Sequence, residues 1–318
     1  MTAPLVTIAV PTFERLDCLV EAVESALAQT WTNVEVLVGD DGSGAEIEQW
    51  CRRRAEREPR LRYQRNPQAL GFAGNLNAIV SRATGEFVVL FGDDDRMLPR
   101  CVETLVQAAG DEATVAFCNH HVIDGEGRRL DDETARVTRQ YRRAVMPAGP
   151  VANAAAAAWQ MSIHPSAALV RRRALATLRL AEDIDSPDIE FFIRLAHTGG
   201  AFVFVPEPLV EFRVHRRSIT SRGLRNERLV SRLLALPAPA DAEPAKRALL
   251  AHLLVNAVSR LLQQGDWQSA RQFLESEYYP RSSRRGSYLV QHACATLPPS
   301  IGQPMYRLVM TLKHASAG

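Results

Sequence analysis

A chain of 318 residues, 46% hydrophobic and 23% charged, is long enough for one large core or for a domain of roughly 200 residues with a smaller appendage, and we read the second. Those proportions exclude a disordered, collagenous or disulfide-framed chain, and a net charge of only +2 supplies no concentrated basic face for nucleic acid. Only Lys246 and Lys313 are lysines among 38 basic residues, a bias that a GC-rich genome explains more simply than phosphate binding does.

No basic stretch precedes the first apolar run, and the longest, Ala248 to Val258, contains His252 and Asn256, so neither a signal peptide nor a spanning helix is predicted. Cys18, Cys51, Cys101, Cys118 and Cys294 form no CxxC pair and suit a reducing cytoplasm.

Leu5 to Val10 is a strand ended by Pro11, and Leu19, Val23, Ala26 and Leu27 then recur at helical spacing behind Asp17 as N-cap. Val34 to Val38 is the next strand and runs into Gly39-Asp40-Asp41-Gly42-Ser43. An Arg-rich helix follows from Ala45 to Glu56, then a short strand from Leu61 to Gln64. A helix from Ala73 to Arg82 stops at Gly85, and the strand Glu86 to Phe91 leads directly to Gly92-Asp93-Asp94-Asp95. Alternation at these lengths predicts an α/β chain with a mostly parallel, doubly wound sheet covered on both faces. Ligands on such sheets bind beyond the carboxyl ends of the strands, where both acidic clusters fall.

Pro99 to Ala109 is a helix; Thr114 to Cys118 and His121 to Ile123 are extended and lead to the turn Asp124-Gly125-Glu126-Gly127 of a predicted hairpin. Val151 to Trp159 is helical with Trp159 in the core, Ala167 to Val170 is a strand, and Asp188 to His197 is a helix closed by Gly199-Gly200. Strands Ala201 to Val205 and Leu209 to Val214 flank Pro206 and Pro208. From about Leu224 the pattern is helical, with a linker from Pro237 to Pro244 and a helical hairpin, Lys246 to Gln263 and Trp267 to Ser276, turning at Gly265-Asp266.

Three adjacent aspartates repel one another and raise each other's pKa. A hard divalent cation shared with a substrate diphosphate would relieve that cost; a solvated turn capping the helix near Pro99 would dilute it, and the triplet alone does not choose. Asp41 is a turn residue or a carboxylate that accepts the imide N–H of uracil or thymine, with Phe13 as a stacking face. Asp188 opens a helix, where the dipole by itself favours an acid. His120, His121 and His164 are open to an acceptor-pocket role or a structural one, and Arg281, Arg284 and Arg285 to a solvated loop or an anionic membrane contact.

In order and spacing, these segments resemble the family 2 glycosyltransferases of the GT-A fold. The resemblance rests on Val6 to Arg15, Ser25 to Thr30, Glu35 to Ser43, Gly71, Asn75, Asn77, Ala83 to Phe87, the acidic triplet, Pro187 to Leu195 and Phe212 to Ser218. It implies a Rossmann-like GT-A catalytic domain over residues 1–220 and a helical C-terminal extension over 221–318. The implied reaction is inverting transfer of a sugar from a UDP, dTDP or GDP sugar to a hydroxyl of a glycan, lipid-linked glycan or glycosylated metabolite, assisted by Mn2+ or Mg2+. By the same resemblance Asp188 is the general base. Pro11, Thr12, Phe13, Glu14, Asp41, Asn75, Asp93, Asp94 and Arg213 meet the nucleotide sugar, and Asp94, Asp95 and His215 meet the metal. A cytoplasmic location is expected, with peripheral contact of the C-terminal helices at the inner membrane face.

Two positions depart from the family's pattern. Gly92 stands where an aspartate is common, which makes Asp93 a candidate replacement, and Pro187 stands where an acid often precedes the base, which leaves Asp185 or Glu190 as a second carboxylate. A sugar nucleotidyltransferase would open with a Gly-rich basic loop and a dinucleotide oxidoreductase with GxGxxG; Pro11 to Asp17 holds no glycine. A non-catalytic sugar-nucleotide or glycan-binding module of the same fold is the third reading.

Overall fold

A computed structural model describes residues 3–214 and 227–315 of the chain, with side chains to residue 311. The chain divides into two units, residues 1–182 with 187–223 and residues 183–186 with 224–318.

The first unit begins with β1 (Val6–Thr12), α1 (Leu16–Leu27), β2 (Val34–Asp40), α2 (Ala45–Ala55), β3 (Leu61–Arg65), α3 (Gly71–Val80) and β4 (Phe87–Leu90) in strict alternation. It continues through β5 (Arg96–Met97), α4 (Cys101–Ala109), β6 (Ala113–Ile123), α5 (Asp131–Gln140), β7 (Gly149–Pro150) and α6 (Ala154–Trp159). The last elements are β8 (Ala168–Arg171), α7 (Arg172–Thr177), α8 (Pro187–His197) and β9 (Ala201–Arg213). The strands form a nine-stranded sheet in the order β3-β2-β1-β4-β8-β6-β9-β5, with β7 paired to β9. β1 is parallel to β2 and β4, β2 to β3 and β6 to β9, whereas β8 runs antiparallel to both β4 and β6.

Every residue of β1 and β2 is buried, as largely apolar runs require of a sheet covered on both faces, and the polar pair within them is matched, Thr7 Oγ1 donating to Glu35 Oε1 at 2.6 Å. On one face Val6, Ile8, Val10, Val36 and Val38 pack with Leu19, Val23, Ile47, Cys51 and Leu105 from α1, α2 and α4. The other face meets α3. There a Cβ on Gly39 would lie 2.6 Å from Ile79 Cγ1 and 2.5 Å from Asn75 Oδ1, so the glycine is what lets α3 seat directly on β2.

The turn at Asp124 does not open a hairpin strand. After an isolated bridge between Ile123 and Arg129 the chain enters α5, and β6 pairs in parallel with β9. β9 is one strand of 13 residues rather than two. Pro206 and Pro208 fall where its register against β6 shifts, between Cys118 and His120, and a bulge tolerates residues that cannot donate to the ladder. Arg15, not Asp17, holds the N-cap position of α1, and Asp17 lies in the first turn.

The second unit contains α9 (Glu227–Ala235), α10 (Glu243–Gln264), α11 (Trp267–Glu275), α12 (Arg285–Thr296) and α13 (Pro299–Ala315). α10 packs against the other four. The turn expected at Gly265-Asp266 is present: Gly265 closes α10 at φ +88° and Asp266 caps α11 by accepting the Ser269 N–H at 3.1 Å. Pro244 sits in the first turn of α10, where its missing N–H has no partner to lose, so the linker is shorter than the sequence suggested. Among the described residues no helix is long and apolar enough to cross a membrane.

Candidate active site

The triplet follows β4 and meets the loop that follows β1. Thr12 Oγ1 donates to Asp93 Oδ2 at 2.8 Å, and the Phe13 N–H reaches the same carboxylate. Arg15 forks across two aspartates, Nη1 donating to Asp94 Oδ2 at 2.8 Å and Nη2 to Asp93 Oδ1. Between them Glu14 takes a left-handed φ of +55°, uncommon for a side-chain-bearing residue, and its N–H donates to Ser43 Oγ at 2.9 Å. Pro11 is buried in β1 beside Gly39. Burial pushes Asp93 up to about 7, outweighing the pull of Arg15.

Asp95 is buried as well. Its Oδ2 accepts the Ser166 hydroxyl at 2.5 Å and its Oδ1 the Arg213 N–H at 3.1 Å, while Ser166 Oγ accepts from the Gly92 N–H at 3.1 Å. Burial, and then the charge of Asp94, push Asp95 well above the ordinary carboxylate range. A Cβ on Gly92 would sit 3.0 Å from both Asp94 Oδ1 and Asp95 Oδ2, so the triplet's own oxygens fill the space a larger residue would need. Asp94 has the most open side chain of the Arg15 pair, 16% exposed against 1% for Asp93.

The Arg213 guanidinium turns to protein. Nε donates to the Asp94 carbonyl at 2.9 Å, Nη1 to the Gly125 carbonyl at 3.0 Å and Nη2 to Glu21 Oε2 at 2.5 Å. The residue therefore clamps the triplet to the turn after β6 and to α1. His215, the other residue expected from this segment, lies outside the described residues.

The second acidic cluster ends β2. Asp40 points inward, its Oδ1 accepting the Ser43 N–H at 2.8 Å and its Oδ2 the Tyr63 hydroxyl at 2.6 Å. Asp41 faces the start of α3: Oδ1 accepts from Asn66 Nδ2 at 3.0 Å and the Leu70 N–H at 2.8 Å, and Oδ2 accepts the Gly71 N–H at 2.8 Å. A carboxylate offers about four acceptor positions, so one on Oδ2 is left for a further donor. Asn75 stands behind, 1% exposed, with Nδ2 donating to the Gly39 carbonyl at 2.8 Å and Oδ1 accepting from Asn66 at 3.0 Å. It positions Asn66 and so Asp41, and it does not reach open space.

Thr12 joins the two clusters, because its carbonyl accepts the Asp41 N–H at 3.0 Å while its hydroxyl donates to Asp93. Exposed apolar side chains surround this junction: Phe13 after Thr12, and Leu70 and Phe72 on either side of Gly71. Of these, only Phe13 was legible in the sequence. Arg15 was legible only as the end of the segment that carries the family resemblance, and Ser166, Asn66, Leu70 and Phe72 carried no signal beyond Gly71, which opens α3 at φ +73°.

Asp188 belongs to neither cluster. It is half-buried in the first turn of α8, and burial raises its carboxyl above the ordinary value while the N–H groups of Asp188 and Ile189 oppose the shift. Pro187 takes the first position of α8, where its fixed φ suits a helix start. Glu190 is buried, with Arg194 at 3.6 Å, and Asp185 is exposed.

His120 is buried and accepts from Arg143 Nη1 at 3.0 Å; its ring lies 4.8 Å from that of His164 and 5.7 Å from that of Phe212. Burial, then Arg143, pushes His164 down to about 3, and burial, then His164, lowers His120. An unfolded histidine titrates near 6.5, so below that pH the unfolded chain binds protons that the folded one refuses. Stability should therefore fall as pH drops from about 6.5 toward 3, by up to roughly 1.4 kcal/mol per pH unit for each histidine. Urea melts of His164→Gln should show a flatter decline between about pH 6 and 4.5 than the native protein does.

Among the described residues no three His, Cys, Asp or Glu side chains converge as a metal-holding set. Mg2+ or Mn2+ shared with a diphosphate needs only one or two carboxylates. The donor chemistry fits that case: Asp94 is partly open, and although burial is the larger reason that Asp95 is raised, the neighbouring charge of Asp94 that adds to it is what a cation would offset. Asp95 could contribute only beside the hydrogen bonds that both its oxygens already accept.

The family model of glycosyl transferase family 2 matches residues 7–179. EpsH of Bacillus subtilis is 26% identical over 231 residues, 70% of this chain and 64% of EpsH, so the chain spans less than two thirds of that relative. Mannosyltransferase PcManGT from Pyrobaculum calidifontis, solved with GDP-Man and Mn2+, has a TM-score of 0.62 at 21% identity over 98% of this chain and 85% of its own. TarS 1-349 of S. aureus, solved with UDP-GlcNAc, has a TM-score of 0.67 at 16% identity over 98% and 92%. Likeness at such identity concerns the fold, which is GT-A with a helical C-terminal region.

Proposed function

We propose that this chain, which belongs to glycosyl transferase family 2, transfers a sugar with inversion from a UDP or dTDP sugar to an acceptor hydroxyl. The observation that carries the reading is Thr12, which joins Asp41, the carboxylate we assign to the nucleobase, to Asp93 to Asp95, the cluster we assign to the diphosphate, on one sheet end. The single acceptor position left on Asp41 suits the one imide N–H of uracil or thymine; guanine presents two adjacent donors. Phe13, Leu70 and Phe72 supply apolar faces for the base.

Asp94 and Asp95 would hold Mn2+ or Mg2+, which when bound supplies charge stabilisation at the leaving diphosphate. Arg15 orients Asp93 and Asp94, and Arg213 fixes the backbone that carries them. Asp188 takes the proton of the acceptor hydroxyl as its oxygen attacks the anomeric carbon opposite the departing nucleotide, and one displacement inverts that centre. Burial brings Asp188 closer to the working pH, which strengthens it as a base. The acceptor is a glycan, a lipid-linked glycan or a glycosylated metabolite, and five free cysteines suit catalysis in the reducing cytoplasm.

Thermal shifts with UDP, dTDP and GDP sugars, with and without Mn2+, test the reading. A ligand at 100 times its Kd should stabilise by about 2.7 kcal/mol, and the uracil or thymine nucleotides should lead. A larger shift with GDP sugars would overturn the base assignment, and no shift with any of them would overturn the site. Donor binding without nucleotide release across a broad acceptor panel would make the chain a binding module.

A further inference from the structure

We propose that the α12–α13 face of the second unit docks on anionic lipid headgroups at a membrane surface. After Glu277 the sequence holds no Asp or Glu, whereas Arg281, Arg284, Arg285, Arg307 and Lys313 are basic. Arg284 and Arg285 are exposed at the N-terminal end of α12. The helix dipole disfavours cations there, so helix stability does not account for them. Among the described residues neither has a carboxylate partner.

Apolar side chains accompany the charge. Leu289 on α12 and Ile301 and Leu308 on α13 are 55%, 55% and 60% exposed. Ile301, Pro304 and Leu308 are spaced three and four residues apart, all exposed, and so form one outward stripe along α13, with exposed Arg307 beside it. A solvated face would interleave both charge signs and bury its aliphatics. Aliphatic side chains among arginines that have no carboxylate partner among the described residues, Arg307 donating only to the Gln263 carbonyl at 3.2 Å, match the boundary of an anionic bilayer, where the former enter below the headgroups and the latter meet phosphates. Contact stays at the surface, since no described helix can cross.

Co-sedimentation of the full chain with phosphatidylcholine vesicles, with and without phosphatidylglycerol, reads the proposal directly. Binding should require phosphatidylglycerol and be released by salt, a readout that needs no variant. Arg284→Gln with Arg285→Gln should weaken binding about 25-fold, at about fivefold for each arginine. Ile301→Asn with Leu308→Asn should weaken it several-fold on its own, and both pairs should leave the melting temperature unchanged because the sites are exposed. No binding to the anionic vesicles, equal binding to phosphatidylcholine alone, or indifference to both double variants overturns the proposal. So does capture by RNA or heparin that ignores Ile301 and Leu308 while vesicles stay unbound, or self-association through this face.

Discussion

Asp188→Asn should bind the donor as the native protein does and turn over roughly 10²- to 10⁴-fold more slowly, the usual weight of a positioned general base. The substitution keeps shape, and the amide oxygen can still accept the N–H groups at the start of α8, so the helix should begin at the same place. What it removes is the ability to take a proton. The loss should appear in kcat with little change in donor KM, because Asp188 touches neither the Asp41 cluster nor the triplet through any hydrogen bond.

A stability measurement separates this from general damage. Burial raises the Asp188 pKa above its unfolded value, so the folded state favours the protonated acid. The resulting stability is fully present below the unfolded pKa and is lost as pH rises through the folded one. At neutral pH the charged carboxylate is thus a liability to the fold, and the Asn variant should melt at the same temperature or higher while losing activity. Intact turnover would move the base elsewhere, with Glu190 or Asp185, its neighbours in the sequence, as the alternatives.

The junctions of strand and acid were readable because β1, β2 and β4 are largely apolar runs, interrupted only by Thr7 and Glu35, that each end in a polar cluster. Periodicity reports which residues face the core, and it placed Asp41 and Asp93 to Asp95 at the right end of the sheet. It does not report partners. Nothing local in the sequence says that Ser166 bonds Asp95, that Arg15 bridges Asp93 and Asp94, or that Asn75 is spent behind Asp41. The parallel direction of β1 to β4 followed from their alternation with helices, but the direction of β8 was out of reach, since it lies antiparallel between β4 and β6 by long-range pairing alone. Arg213 shows the same limit most clearly: the resemblance implied a contact with the nucleotide sugar, and its neighbours assign its donors to protein.

That assignment predicts a large effect. Arg213→Lys should destabilise the first unit by about 2–4 kcal/mol and lower activity sharply, whereas Glu21→Gln should cost less than about 1 kcal/mol. The contacts decide the difference. Glu21 is 45% exposed, so its pair with Arg213 is screened by water even though the arginine side is only 3% exposed. The carbonyls of Asp94 and Gly125 depend on a buried planar fork, and each acceptor left unmet in the interior costs about 1–3 kcal/mol. A lysine keeps the charge but, as a point donor on a flexible stem, cannot serve both carbonyls and Glu21 in the fork's geometry. Because the Asp94 carbonyl sits in the triplet itself, its release should also loosen Asp94 and Asp95, and donor affinity with Mn2+ should fall with stability. Urea midpoints and donor thermal shifts on the two single variants and their double settle the matter: equal losses from Glu21→Gln and Arg213→Lys would mean that the exposed ion pair, rather than the buried fork, holds the site.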